Sequence, residues 1–176
     1  MKRDRLMWWK LGLVWVFFLG LHFSFETFPN LLFQIIGEVG ETTYFHMKML
    51  FFAYIFTSLI ELVIVKRKQQ PRASLPYSRM FVAVVYPWFT ITVFFMAEAI
   101  TGSMLEMPWE IIYANVVTLA GIYIALRVEE ALDGVEFRPA LKASIGILFL
   151  TALFTYISFS LHTPLPFFST PPGMSH

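Results

Sequence analysis

Cysteine is absent from this 176-residue chain. That excludes a disulfide frame, a thiolate nucleophile and a thiolate-bound metal, so any metal ligands must be histidines and carboxylates. Charge is scarce as well. Asp, Glu, Lys and Arg make up 14% of the residues, against about 25% in an average soluble domain. The net charge is only +1, too little basic surplus for nucleic acid to be the partner. No H-E-x-x-H or related strict metal motif occurs, and no internal repeat is evident.

Apolar side chains are abundant, at 57% of the chain with 20 Phe, and they are gathered in runs. A span needs about 20 mostly apolar residues. Five segments meet that length: 7–28, 43–65, 79–101, 109–128 and 140–162. The expected fold is all-α, an integral membrane bundle of five transmembrane helices forming one domain over 1–162, followed by a Pro-rich outer tail over 163–176. The basic start, Lys2, Arg3 and Arg5, followed by an apolar run, imitates a signal peptide. The run is too long and lacks a small-residue cleavage site, so it reads as an uncleaved first helix. Pro87 predicts a bend in the third helix. Pro108 stands where a fourth helix would begin. Gly121 and Ala125 have the small-x-x-x-small spacing of close helix packing.

Basic residues set the orientation. Lys2, Arg3, Arg5 and Lys10 precede or open the first helix. Lys66, Arg67, Lys68, Arg72 and Arg79 fall around the second connection, and Arg127, Arg138 and Lys142 around the fourth. These are twelve of the thirteen basic residues, with only Lys48 left for the opposite side. The N-terminus is therefore expected in the cytoplasm and the C-terminus outside, in a cell membrane of bacterial cytoplasmic type.

That orientation brings an ionisable group from every helix to the outer side. Such groups in membrane helices are expensive and are functional candidates by default. His22 and Glu26 are four apart on the first helix, which also suits a simple intrahelical pair. His46 opens the second helix and His162 ends the fifth, below a stripe of Thr151, Thr155 and Ser158. Glu98 is flanked by apolar residues. Glu110 follows Pro108 in a first turn, where the helix dipole alone favours a carboxylate. Glu41 precedes His46, whereas Glu38 and Glu106 read as solvated loop residues. His22, Glu26, His46 and His162 are the candidate metal ligands, and Glu98, Glu41 and Glu110 the candidate catalytic carboxylates. Imidazoles and carboxylates suit a divalent metal: zinc, iron or manganese. Glu61 lies about 22 Å along the helix from His46 at 1.5 Å per residue, so it belongs to no common site and is expected to pair with Lys66 or Arg67.

The stretch Glu41-Thr-Thr-Tyr-Phe-His46, followed by Ser58-Leu-Ile-Glu61 and by His162-Thr-Pro-Leu-Pro-Phe-Phe, resembles a family of small multi-pass bacterial membrane proteins of unknown function. Phe45 stands where that family's pattern has Trp. The resemblance groups Glu41, His46, Glu61 and the His162 tail and implies no activity.

Three functions fit these residues. The first is a membrane enzyme with an outward-facing, metal-assisted site acting on a lipid or small amphipathic ligand. The second is a transporter or binding protein for a small ligand or cation, to which five helices and a sparsely polar inner half give little path unless a homo-oligomer forms. The third is a structural membrane subunit.

Overall fold

The computed structural model describes residues 2–40, 42–68, 74–102 and 106–162, with side chains described for all but 2–6 and 65–68 of these. Glu41 and the Pro-rich tail over 163–176 lie outside the described residues. The described chain is all-α, in the order α1 Lys2–His22, α2 Ser24–Thr27, α3 Leu31–Ile36, α4 Thr43–Lys68, α5 Leu75–Thr101, α6 Trp109–Leu132 and α7 Pro139–Leu161. Four segments are long and apolar enough to cross a membrane: Thr43–Ile64, Leu75–Thr101, Trp109–Leu132 and Pro139–Leu161. Met7–His22 is a shorter apolar helix. Candidate spans of this kind imply contact with a bilayer, and they mark the chain as an integral membrane protein by length and composition.

The helix expected over 7–28 stops at His22. Phe23 forms a turn between α1 and α2 with φ −96° and ψ −1°, and the Ser24 hydroxyl donates to the Leu21 carbonyl at 2.8 Å, a bond that competes with continuation of the helix. The chain then makes the short helix α2, passes Pro29 and starts α3, where the Asn30 side chain accepts from the Phe33 N–H at 3.2 Å. The outer connection expected over 30–41 therefore contains a short helix. Pro87 sits inside α5, which continues through it as helix.

α4 is the central element, packed on α1 and α5. α6 packs on α5 and α1, and α7 on α5 and α3. Successive long helices run in opposite directions: Tyr44 near the start of α4 donates to the Tyr156 carbonyl near the end of α7, while Glu61 near the end of α4 meets Arg79 near the start of α5. The core is the middle of α4, where Met49, Leu50, Phe51, Ala53 and Tyr54 are buried against Val14 and Phe18 of α1. Burying apolar side chains does not itself hold helices together inside lipid. Close packing and interhelical hydrogen bonds do. Two ends can be distinguished: a histidine end, where α1 finishes and α4 starts, and a basic end, where α4 finishes and α5 starts.

Candidate metal centre

The break after His22 is what builds the site. The Leu21 carbonyl also accepts the Glu38 N–H at 3.3 Å, so the chain after α3 is drawn back against the end of α1. Gly37 allows this approach, because a Cβ there would collide with the Ser24 hydroxyl and lie 2.8 Å from the Phe33 carbonyl. Glu38 is thereby buried, at 8% exposure, rather than solvated as the sequence suggested.

His22 closes α1 and His46 lies in the first turn of α4, so their imidazoles face each other with ring centroids 5.7 Å apart. Phe18 and Phe23 border His22, and Phe18 also borders His46. Glu38 enters between them. Its Oε2 is in contact with His22 Nδ1, and its Oε1 is 3.8 Å from His46 Nδ1. The two histidine side chains remain 29% and 35% exposed, so the group is closed by protein on one side and open on the other.

His46 Nδ1 donates to the Thr42 carbonyl at 3.0 Å, the bond to an acceptor fixing the proton on Nδ1 and leaving Nε2 with its lone pair. A histidine held in this way is set up as a ligand. One atom each from His22, Glu38 and His46 lies within 4.8 Å of the others. Two donors on one ion at about 2.0–2.2 Å are at most about 4.4 Å apart, so movements of a few tenths of an ångström close the set. Neither Glu38 carboxylate oxygen accepts a hydrogen bond among the described residues. A buried carboxylate calls for a positive partner, which a protonated imidazole of the pair or a metal ion held by all three groups would supply. His22, Glu38 and His46 can therefore hold a metal ion.

Beneath the group lies a polar strut. Lys48, fully buried, donates to the Gln34 carbonyl at 2.9 Å and to Ser160 Oγ at 3.0 Å, tying α4 to α3 and α7. The remaining sequence candidates fall elsewhere. Glu26 is exposed on α2, beyond the helix break that separates it from His22. Glu98 is exposed on α5, Glu110 is half-buried in the first turn of α6, and His162 is exposed at the end of α7. None of these four joins the group that could hold a metal ion among the described residues. Glu61 meets Lys10 at 2.5 Å and Arg79 at 2.8 Å, partners other than the expected Lys66 or Arg67.

No protein family matches the chain, and no curated protein or solved structure matches it.

Proposed function

We propose that the protein is a five-span membrane protein, N-terminus in the cytoplasm, that binds a divalent metal through His22, Glu38 and His46 on its outer face and uses it to cleave a lipid or other amphipathic substrate. The observation that carries this reading is Glu38, a buried carboxylate set between two half-buried imidazoles, in contact with one of them and without a hydrogen bond from any other described group. Two nitrogens and one carboxylate are the ligand set of catalytic zinc sites, which keep a further position for water or substrate, and of open ferrous sites. When bound there, such a metal would activate water and polarise the bond under attack. The chain's own residues would supply the rest. Thr42 holds His46 in its ligating tautomer, Phe18 covers both imidazoles on one side, and Lys48 with Ser160 ties α4 to α7. The substrate class is supported by the rim, where Phe23 and Phe28 in the links around α2 and Leu31 and Leu32 of α3 are all largely exposed. A short amphipathic segment with this composition suits the headgroup boundary of a bilayer.

The test is metal content by elemental mass spectrometry on protein purified in detergent without chelators. Wild type should carry about one equivalent of zinc, iron or manganese. Glu38→Gln and the pair His22→Ala/His46→Ala should lose it, with affinity lowered at least about tenfold. Glu26→Gln and His162→Ala should retain it. Binding should weaken as pH falls, since a proton on an imidazole displaces the metal. A metal-free wild type, or metal unchanged in Glu38→Gln, would sink the proposal.

A further inference from the structure

Residues 23–37 leave α1, form α2 and α3, and lead back to Glu38. Glu26 is their one charged residue. The other polar side chains are turned onto backbone. Ser24 donates to the Leu21 carbonyl and Thr27 to the Phe23 carbonyl, each at 2.8 Å. Asn30 accepts from the Phe33 N–H at 3.2 Å, and Gln34 donates to the Ser160 carbonyl at 3.1 Å. The N–H groups of Thr27, Phe28, Gln34 and Gly37 bond to carbonyls within the same segment. Turned outward are Phe23, Phe28, Leu31 and Leu32, between 57% and 63% exposed. A segment that satisfies its polar groups internally and presents its apolar ones is suited to lipid rather than to water.

Its position agrees. Besides the Gln34 bond, the Ser160 hydroxyl donates to the Ile35 carbonyl at 3.3 Å. Ser160 is in the last turn of α7, inside the candidate span Pro139–Leu161. The fully buried Lys48, inside the candidate span of α4, holds the Gln34 carbonyl. α3 therefore lies beside the bundle, level with the end of a span, and not above it. Leu161, next to Ser160, and Phe154, two turns below, are exposed on the same helix, so α3 rests against a helix that already turns apolar side chains to the bilayer. An exposed apolar patch of this kind marks a membrane or protein contact, and its level beside a span selects the membrane.

We infer that α2 and α3 are an interfacial segment seated in the leaflet at the histidine end, with Phe28, Leu31 and Leu32 among the acyl chains and Glu26 at the headgroups. The inference goes beyond the metal reading and holds with or without an ion. It also bears on access, because Phe23 adjoins His22 with ring centroids 4.8 Å apart, so the histidine group lies beside that seat.

The chain has no cysteine, so a single nitroxide label reports on one position of the full chain in phospholipid vesicles. Phe28→Cys and Leu32→Cys replace exposed side chains, and labelling them leaves the packing intact. Collisions with oxygen, which concentrates among acyl chains, are compared with collisions with a nickel chelate confined to water. The oxygen-to-chelate ratio should be severalfold higher at both positions than at Glu136→Cys, in the exposed link after α6. It should approach the ratio at Ile147→Cys, exposed near the middle of α7. A water-like ratio at Leu32→Cys beside a lipid-like one at Ile147→Cys overturns this inference alone. Low collision rates with both reagents overturn it too, since protein would then cover the face, either a second copy or residues 163–176. A water-like Ile147→Cys overturns the reading of α7 as a span and this inference with it.

Discussion

Glu38 owes its place to the residue before it. Gly37 has no room for a side chain, and its neighbour's N–H is fixed on the Leu21 carbonyl. Gly37→Ala should push the Ser24 hydroxyl or the backbone aside and carry Glu38 off the histidine pair, although no ligand is altered. The expected result is metal affinity lowered about tenfold or more with helix content unchanged, measured by competition against a chelating dye and by circular dichroism. Wild-type affinity in this variant would mean that the carboxylate is not aimed by that pin. The same residues mark the limit of what the sequence discloses. His22 and His46 are legible because each is an imidazole at the same end of an apolar run. Glu38 is not, because its burial follows from a helix break and a returning loop, which are long-range events. Glu26 shows the reverse. Its spacing of four from His22 means a shared face only while the helix continues, and the helix ends at His22.

The four long helices are legible to within four residues at each end, since hydropathy and length decide them, and what the runs leave open is how closely they meet. At the α5–α6 contact, a Cβ on Gly121 would collide with Thr90 Oγ1 and stand 3.3 Å from its Cβ and Cγ2. Thr90 is itself buried, so it has little space to yield. Gly121→Val should therefore force the two helices apart and destabilise the bundle by about 1–3 kcal/mol, the usual cost of overpacking. Thermal unfolding in detergent should show a midpoint lower by a few degrees. An unchanged midpoint would mean that α6 can slide without loss, and the small-residue spacing would then be incidental. Pro87 is instructive at the same scale. It removes one backbone bond, yet its buried position within the bundle lets α5 carry on through it.

Among the described residues, the buried charged groups gather at two levels of the whole molecule, the histidine group and Lys48 toward one end and the Lys10–Arg79 network with Glu61 and Glu129 toward the other. Between them α1 and α4 present Val14, Leu50, Phe51 and Ala53, at most 1% exposed. The network also changes the meaning of the charge count. Lys10 and Arg79 look in sequence like interfacial cations, and a count of basic residues takes no account of burial. Their intramembrane role could have been suspected from Lys10 interrupting an apolar run and from Glu129 and Asp133 being one helical turn apart. When Lys10, Arg79 and Lys48 are set aside as buried, the remaining ten of the thirteen basic residues all flank the basic end in sequence, so the charge rule still predicts that end to be cytoplasmic. The absence of cysteine makes this testable with single thiols. Glu106→Cys lies before α6 at the histidine end, and Glu136→Cys lies between α6 and α7 at the basic end, both at exposed positions. A membrane-impermeant maleimide should label the first in intact cells and the second only after permeabilisation. The opposite pattern would turn the molecule over and put the metal group in the cytoplasm. Labelling of both from outside would mean that α6 does not cross the membrane.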